Sequence, residues 1–519
     1  DAPRRHGRTD RARAVSTTPA PQENSTTAVS TEHVLRALEQ AALVRSVRGE
    51  LPLTISGITD DSRAVVTGGL FVAVRGYARD GHDFLPTVEQ AGAGMAIVED
   101  AAATQLPAIV VHDARRAAAV AAGAFYGDPA RALVLVAVTG TNGKTTTVGM
   151  IRHVLDAPET RAASIGTLGV LVGSAGEELR GGSGLTTPGP IELQRVLRAL
   201  VDVGVTRVAM EVSSHSLHQH RVEGIEFAAG VFTNLTRDHL DYHGTMDAYF
   251  AAKALLLQHV AADGCAVLNA DDAAWHALRP SGRVLRFGCT SAPADVRAED
   301  VRFEPRGSRW RLVTPAGAIP VRLPLIGDFN IANALAATAA AIAVGMSPER
   351  VAERLETLPQ VPGRLEILSE HPTVLRDYAH TPDALARALD ALRPFTPGRL
   401  IVVFGAGGDR DRGKRPEMGA IAVQRGDLAI VTSDNPRTED PDRILDDIAA
   451  GMVGGRYERI VDRREAIARA IAVADPSSDV VLLAGKGHET YQIRGTTRFP
   501  FDEREIVRNI LANPPGGAL

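Results

Sequence analysis

Short aliphatic runs alternate with helix-like segments along most of the chain. Runs at 69–76 and 108–113 predict two strands near the start, and the segments 87–98 and 114–127 have the spacing of helices. Further aliphatic runs that end in polar residues predict buried strands at 132–138, 207–214, 227–235 and 265–272, with a helix at 330–345. This alternation indicates an α/β fold with mainly parallel sheets.

Three more aliphatic runs, which begin at residues 400, 428 and 480, end abruptly in glycine, aspartate or serine. Ligands bind beyond the carboxyl ends of strands in open α/β sheets, so these endings predict a binding crevice. The first residues are rich in Arg, Pro, Ser and Thr, which is typical of disorder. We therefore expect a disordered tail at 1–30 and three domains, at 31–128, 129–361 and 362–519.

The composition narrows the range of functions. The chain has 519 residues, of which 45% are hydrophobic and 23% charged, and a net charge of −5. This gives no reason to expect a nucleic acid or an anionic membrane as partner. Two cysteines make no disulfide framework, and no apolar run is long enough to be inserted in a membrane. We expect a cytoplasmic monomer that acts on small molecules.

Lysine is rare in this chain. Lysine and arginine together number 57, of which four are lysines and the other 53 are arginines. The lysines are Lys144, Lys253, Lys414 and Lys486. An ammonium is compact and can lose its proton, whereas a guanidinium cannot. We therefore expect the four lysines at positions where arginine would not serve.

The first lysine lies in a glycine-rich segment, GTNGKTT at 140–146, between a predicted strand and a predicted helix. Glycines let the backbone close on phosphate, and a lysine at this place reaches the β- and γ-phosphates. Thr145 has the position of the hydroxyl that binds Mg²⁺. The segment predicts an ATP site, and an ordinary glycine-rich turn is the alternative.

The second lysine lies on an otherwise apolar helical face with Met246, Tyr249, Phe250 and Leu257. A buried lysine can become neutral, which arginine cannot. The alternative is a lysine whose ammonium reaches out to solvent from a helix edge. Upstream, Glu211 ends an apolar strand, where a carboxylate can bind magnesium or orient water.

These segments carry a resemblance to a known family. GTNGKTT, MEVSSHSLHQHRV (210–222) and TNLTRDHLDYHGTMDAYFAAKALL (233–256) closely resemble the Mur ligases, ATP-dependent enzymes that add amino acids to peptidoglycan precursors. The resemblance implies three domains: a smaller N-terminal α/β domain, a central P-loop ATPase-like parallel-sheet domain and a C-terminal Rossmann-like α/β domain. It also implies that CO₂ carbamylates Lys253.

The resemblance implies roles for individual residues. It gives Lys144, Glu211, His239 and Lys253 as catalytic residues, and Thr145, Glu211, His239 and carbamylated Lys253 as Mg²⁺ ligands. It gives an ATP site of Gly140, Thr141, Asn142, Gly143, Lys144, Thr145, Thr146, Asn330, Asn333 and Asp377. It gives contacts to a UDP-muramoyl dipeptide from Ser62, Tyr77, Ala78, Arg79, Thr186, Thr187, Ser213, Gln219 and Arg221.

The DNPR element at 434–437 resembles the specificity motif of the family members that add meso-diaminopimelate. A diamino diacid needs an arginine fork for its carboxylate, acidic groups for its ammonium and glycine turns for close approach. The residues implied are Arg410, Asp434, Asn435, Pro436, Arg437, Gly485 and Glu489. The expected activity is therefore ATP-dependent addition of meso-diaminopimelate to the D-Glu carboxylate of UDP-MurNAc-L-Ala-D-Glu, through an acyl phosphate.

Several alternatives stay open at this point. Folylpolyglutamate synthetases share the phosphate loop, and a protein that binds nucleotide without catalysis would keep the fold. Asn330 and Asn333 have a second interpretation as helix caps. The DNPR element has a second interpretation as a turn with an Asx cap and an exposed arginine.

Overall fold

Three large β-sheets follow one another along the part of the chain that the structure describes, which also contains two sheets of two strands each. The computed structural model describes residues 28–76, 79–179, 185–290, 294–304 and 307–513. The chain divides into two compact units between Ala114 and Arg115. The positions of the three predicted domain boundaries stay predictions, as does the disordered tail at 1–30, of which residues 1–27 lie outside the described residues.

The first unit is built on a five-stranded sheet. Its elements are β1 (Val29–Ser30), α1 (Thr31–Gln40), β2 (Val44–Arg48), β3 (Thr54–Ile55), β4 (Ile58–Thr59), β5 (Leu70–Val72), α2 (Leu85–Gln90), β6 (Met95–Val98) and β7 (Ala108–Val111). The strand order is β2-β7-β6-β5-β4, with β2 antiparallel to its neighbour and the others parallel.

The helix predicted over 87–98 is wrong in its second half. The helix α2 ends at Gln90, Gly92 has a φ of 86°, and β6 takes Met95–Val98 into the sheet. Glycine adopts this left-handed backbone without strain, so it ends a helix readily. All four residues of β6 are buried, and they pair with strands on both sides.

The second unit begins with an eleven-stranded sheet. Its elements up to the second long helix after the sheet are α3 (Ala114–Phe125), β8 (Val134–Thr139), α4 (Lys144–Leu155), β9 (Ala162–Gly166), β10 (Gly169–Val172), β11 (Glu177–Glu178), α5 (Pro190–Asp202), β12 (Arg207–Glu211), α6 (Ser214–His218), β13 (Phe227–Phe232), α7 (Leu240–His243), α8 (Met246–Ala254), β14 (Val260–Asn269), β15 (Arg283–Gly288), β16 (Val296–Glu304), β17 (Gly307–Thr314), β18 (Gly317–Leu323), α9 (Asp328–Ala343) and α10 (Pro348–Glu356). The strand order is β11-β10-β9-β12-β8-β13-β14-β15-β16-β17-β18. The centre from β9 to β16 is parallel, so β8, β12 and β13 end at the same edge.

A six-stranded sheet completes the second unit. Its elements are β19 (Glu366–Glu370), β20 (Thr373–Asp377), α11 (Pro382–Leu392), β21 (Leu400–Phe404), α12 (Lys414–Arg425), β22 (Leu428–Val431), α13 (Pro441–Ala449), β23 (Tyr457–Arg459), α14 (Arg463–Val473), β24 (Val480–Ala484), β25 (Tyr491–Arg494), β26 (Thr497–Pro500) and α15 (Glu503–Ala512). The order is β19-β20-β24-β21-β22-β23, and all neighbours except β19 and β20 are parallel.

Two separate apolar clusters cover the faces of this sheet. One contains Leu385, Met418 and Leu445 of α11, α12 and α13, and the other contains Ile467 and Ile506 of α14 and α15. Helices on both faces of a parallel sheet are the doubly wound arrangement, which confirms the predicted α/β class. In the part of the chain described here, no helix combines the length and the apolar character that crossing a membrane requires.

Candidate active site

The glycine-rich segment forms the turn between β8 and α4. Gly140 has a φ of 143° and Gly143, just before the helix, a φ of 84°. A side chain at Gly140 would collide with Thr233, and one at Gly143 with Asn333. Both positions therefore need glycine. The predicted ATP residues Gly140 to Thr146 form the turn and the first three residues of a 12-residue helix, whose free amides favour anions.

Two lysines converge on one backbone carbonyl of this loop. Lys144 Nζ donates to Gly140 O at 2.9 Å and to Thr141 O at 2.8 Å. Lys253 Nζ donates to the same Gly140 O at 2.7 Å, and the residue is 1% exposed. The alternative in which Lys253 reaches out to solvent is therefore wrong.

Burial decides the proton affinity of both amines. Burial lowers the pKa of Lys253 well below its ordinary value, and the neighbouring Lys144 lowers it further. Burial also lowers the pKa of Lys144, against the opposing effect of Glu211 and Asp238. Lys253 Nζ lies 4.5 Å from the ring centre of Tyr249, which fills the space beside it. Lys253 is thus in the environment that favours a neutral amine.

Glu211 is the last residue of β12 and is 1% exposed. Its carboxylate accepts hydrogen bonds from Thr167 N at 2.8 Å and from Thr167 Oγ1 at 3.2 Å. Glu211 and Thr145 line one cavity of about 130 Å³, whose walls include Arg152 and the segment 358–362. A carboxylate and a hydroxyl on one cavity are the hard oxygen donors that Mg²⁺ prefers.

His239 lies directly before α7, within a group of histidine and tyrosine rings. Its ring centre lies 4.8 Å from that of His215 and 6.1 Å from that of Tyr249. Burial lowers the pKa of His239 to about 4, although Asp238 raises it, so the imidazole is neutral at pH 7. Among the described residues, no three His, Cys, Asp or Glu side chains form a metal-binding group. The metal ligands Thr145, Glu211, His239 and Lys253 stay a prediction.

The asparagine pair lies beneath the phosphate loop. Asn333 Oδ1 accepts from Thr147 Oγ1 of α4 at 3.3 Å, and its Nδ2 donates to Asn330 Oδ1 at 3.3 Å. Asn330 Nδ2 in turn donates to Ile326 O at 2.8 Å. The residue at the cap of α9 is Gly327, so the capping interpretation of the pair is wrong.

Arg364 is a site residue that the sequence analysis missed. Its Nη2 donates to Thr145 Oγ1 at 3.1 Å, and its guanidinium lies 4.7 Å from the ring centre of Tyr378. Burial raises the pKa of Asp377, and the nearby positive charge of Arg364 opposes this rise. Arg364 belongs to the segment VPGRLE (361–366), which contains the predicted domain boundary between 361 and 362 and no predicted site residue. Its place directly after Pro-Gly, ahead of a strand, indicates a turn but not the contact to Thr145.

Five predicted contacts to the UDP-muramoyl dipeptide meet in one hydrogen-bond network behind Glu211. Thr187 Oγ1 donates to Glu211 O at 2.8 Å and accepts from Ser213 N at 3.1 Å. Arg221 donates to Thr187 O at 2.7 Å and to Gln219 Oε1 at 2.7 Å. Thr186 Oγ1 lies 3.3 Å from Thr167 Oγ1, which also contacts Glu211.

The other predicted contacts lie in the first unit. Ser62 begins a short 3-10 helix (Ser62–Ala64), which Asp61 caps by accepting from Arg63 N. Arg79 is exposed, and its carbonyl accepts from Gly76 N at 2.8 Å. Tyr77 and Ala78 lie outside the described residues.

The predicted amino-acid site gathers at the ends of β22 and β24. Asn435 Nδ2 donates to Glu489 Oε2 at 2.9 Å, and Asn435 Oδ1 accepts from Ile493 N at 2.9 Å. Asp434 is 7% exposed, and a side chain on Gly485, whose φ is 115°, would collide with it. The Asx-cap interpretation is wrong, because the Asn435 oxygen binds the strand β25.

The arginines of this site are close neighbours. Arg437 Nη1 donates to Gly408 O at 2.7 Å and the residue is half-buried, directly after the buried Pro436. Burial lowers the pKa of Arg437, and the nearby positive charge of Arg410 lowers it further. Arg410 itself is exposed. Two neighbouring positive charges attract a carboxylate, and each guanidinium can donate two hydrogen bonds to it.

We predict that His153 of α4 makes the stability of the fold depend on pH. His153 Nε2 contacts Arg354 O at 2.9 Å, and burial lowers the pKa of His153 to about 4. Below pH 6.5 the unfolded chain binds a proton that the folded protein does not, so stability falls as pH falls towards 4. Between pH 6.5 and 5.5, the wild type should lose about 1 kcal/mol of its free energy of unfolding through His153. His153→Gln has no imidazole at this position, so it should not show this part of the loss.

Thermal unfolding at pH 6.5 and 5.5 measures the effect. The apparent melting temperature of wild type should drop more than that of His153→Gln. His112→Gln is the control, because it replaces a histidine of the first unit. Equal drops in wild type and His153→Gln would contradict the prediction.

Three family models match consecutive parts of the chain. Family models match at residues 54–133 (Mur ligase family, catalytic domain), 138–341 (Mur ligase middle domain) and 363–487 (Mur ligase, glutamate ligase domain). Two similar curated relatives are UDP-N-acetylmuramoyl-L-alanyl-D-glutamate–2,6-diaminopimelate ligases. The Gloeobacter violaceus protein is 46% identical over 468 residues, which are 89% of this chain and 94% of the relative. The Synechococcus elongatus protein is 46% identical over 477 residues, 89% of this chain and 95% of the relative.

A solved structure gives the same result. A UDP-N-acetylmuramoyl-L-alanyl-D-glutamate–2,6-diaminopimelate ligase is 33% identical, with 93% of this chain and 99% of that chain covered and a TM-score of 0.65. Identities of this size over nearly the full length of both chains imply common descent. This chain belongs to the Mur ligase family.

Proposed function

We propose that this protein is an ATP-dependent, ADP-forming ligase that adds meso-2,6-diaminopimelate to UDP-MurNAc-L-Ala-D-Glu in peptidoglycan precursor synthesis. The bond formed is an amide between the D-Glu side-chain carboxylate and an amine of diaminopimelate. Similarity to diaminopimelate ligases over about nine-tenths of the chain supports this activity.

One geometric observation carries the proposal: the segments just before β19, at the start of α11 and after β21 contact the phosphate loop or the loop that follows β13. Arg364 donates to Thr145 at 3.1 Å, and Asn142 Nδ2 donates to Asp383 Oδ2 at 3.1 Å. Arg237, just before His239, pairs with Asp411 at 3.5 Å. An ATP bound to Gly140–Thr146 would therefore face the sheet whose strand ends carry the amino-acid cluster, as a ligase requires.

In the first step, the D-Glu carboxylate attacks the γ-phosphate of ATP and ADP leaves. Lys144 has the position to neutralise charge that develops on the transferred phosphoryl group. Arg364 adds a second fixed positive charge beside Thr145. Asn330, Asn333 and Asp377 complete the nucleotide side.

Lys253 would act in this step as a carbamate. A neutral amine reacts with CO₂ and releases a proton, and burial favours the neutral amine here. The donors of the site suit Mg²⁺: Thr145 and Glu211 for one ion, and carbamylated Lys253 with His239 for another. The ions, when bound, would offset charge on the transferred phosphoryl group.

In the second step, an amine of diaminopimelate attacks the acyl phosphate and phosphate leaves. Arg437 and Arg410 would bind the distal carboxylate, and Asp434 and Glu489 the distal ammonium. Asn435, Pro436 and Gly485 shape the site around them. The UDP-muramoyl dipeptide would be bound by Ser62, Tyr77, Ala78, Arg79, Thr186, Thr187, Ser213, Gln219 and Arg221.

The proposal includes a monomer of 54.9 kDa in the cytoplasm, where ATP is made. Light scattering after size exclusion tests the monomer. A mass near twice this value would contradict it.

Phosphate release tests the function. The protein is mixed with ATP, Mg²⁺ and UDP-MurNAc-L-Ala-D-Glu, and meso-diaminopimelate or L-lysine is added. We expect release with diaminopimelate and little with lysine. Release with lysine alone would keep the ligase and reject the specificity. Release only with a folate and glutamate would indicate a folylpolyglutamate synthetase, and no release with any mixture would indicate a protein that only binds.

A further inference from the structure

The fourth lysine, Lys486, is fully buried at the amino-acid site. It follows β24 by two residues and is 0% exposed. Its Nζ donates to Asn435 Oδ1 at 3.1 Å and to Glu489 Oε2 at 3.1 Å, and lies 3.9 Å from Asp434 Oδ1. All three partners belong to the proposed diaminopimelate site, although Lys486 has no role assigned there.

The chemistry of the position explains a lysine in a chain that otherwise uses arginine. An ammonium has three donors on one atom and fits a closed space, whereas a guanidinium is larger and planar. The neighbouring backbone is tightly packed as well. Gly487 has a φ of 52°, and a side chain there would collide with Tyr378. Lys486 is therefore enclosed by the groups that it orients.

The hydrogen bonds leave one carboxylate oxygen of Glu489 for a ligand. Lys486 and Asn435 Nδ2 both donate to Oε2, at 3.1 and 2.9 Å. Oε1 receives no donor from the residues that the structure describes. Asn435 cannot rotate its amide without loss, because its oxygen also accepts from Ile493 N. The lysine and the asparagine together hold the Glu489 carboxylate in one orientation.

The charges also match a single ammonium. Asp434 and Glu489 contribute two negative charges, and Lys486 contributes one positive charge. The cluster keeps one net negative charge, which complements one ammonium and limits the cost of burying two carboxylates.

We propose that Lys486 is a positioning residue that directs Glu489 Oε1 to the distal ammonium of the amino-acid substrate, and so sets selectivity for a diamino diacid. This inference rests on the proposed function. Lys486 itself does not touch the substrate. It acts by fixing the orientation and the net charge of the residues that do.

The test compares two substrates that differ only at the distal amine. Meso-diaminopimelate carries that amine, and 2-aminopimelate lacks it. We expect Lys486→Gln to lower the ratio of kcat/KM for these substrates by about tenfold or more, through the diaminopimelate value, with KM for ATP unchanged. A merely structural lysine would lower both values together and leave the ratio as in wild type, which would overturn the proposal.

Arg399→Gln is the matched control. Arg399 pairs with Asp479 at 2.7 Å, just before β21. Because β21 is parallel to β24, this pair lies at the opposite edge of the sheet from Lys486. Its loss should change stability but leave the substrate ratio at the wild-type value.

A second pair of variants keeps the proposal testable if Lys486→Gln does not fold. Lys486→Gln with Glu489→Gln removes a positive and a negative charge together, so it leaves less uncompensated charge. The double variant should have the same ratio as Glu489→Gln alone, because Lys486 acts through Glu489. A further tenfold loss in the double variant would reject that route.

The outcomes also separate this inference from the proposed function. If wild type releases phosphate with meso-diaminopimelate but Lys486→Gln keeps the wild-type ratio, only the role of Lys486 is wrong. If wild type makes no use of meso-diaminopimelate, the proposed function fails and the inference fails with it.

Discussion

Lys253→Arg is expected to lower turnover by roughly a thousandfold or more, although it keeps the positive charge. Arginine stays protonated and cannot form the carbamate. Phosphate release with ATP and both other substrates measures the loss. Thermal unfolding of the variant shows whether the fold is kept.

Rescue by small carboxylates identifies the missing group. In Lys253→Ala, acetate or formate has room to enter and supply the anion that the carbamate would have provided. Lys144→Ala is the matched control, because Lys144 contacts the same Gly140 carbonyl but is expected to act as a cation. Carboxylates should restore activity to the first variant and not to the second. Full activity of Lys253→Arg would show that no carbamate is needed.

The second large effect is expected at Arg437. Arg437→Lys should lower kcat/KM for meso-diaminopimelate by about a hundredfold, because a single ammonium replaces a two-pronged contact to the distal carboxylate. The selectivity for diaminopimelate over L-lysine should fall by a similar factor, since L-lysine has no distal carboxylate. Initial rates with both amino acids measure the change.

Arg494→Lys is the control for this variant. Arg494 lies opposite Arg437 in an isolated bridge, but its guanidinium donates to Gln492 and packs on Phe499. The same replacement there should leave the selectivity almost unchanged. If both variants keep the wild-type selectivity, Arg437 does not read the distal carboxylate.

The phosphate loop could be predicted in detail because its function depends on neighbours in the chain. A strand, two glycines, a lysine and a threonine follow one another, and Lys144 donates to two carbonyls of the same loop. The same holds for the three strand ends of the C-terminal sheet. The helix in the first half of 87–98 could also be predicted from neighbouring residues. The residue at which it ends could not, because a glycine stops the helix and the residues that follow pair with other strands of the sheet.

Arg364 could not be assigned in this way. It reaches Thr145 across 219 positions of sequence, and nothing in VPGRLE tells which strand end lies opposite. The asparagine pair was ambiguous for the same reason. Asn333 of this pair contacts Thr147, which lies 186 positions earlier in the sequence and on another helix.

The sequence alone determined the α/β class, the phosphate loop, the unusual lysines and the amino-acid motif. Residue type, period and spacing are local properties, so they can be recognised without the fold. The folded protein was needed to bring Lys144 and Lys253 to one carbonyl, to bury Lys253 and to enclose Lys486 between Asn435 and Glu489. These features depend on contacts between distant segments, and burial and proton affinity follow from such contacts. The environment that makes a lysine useful is therefore a property of the packing, which one sequence leaves undetermined.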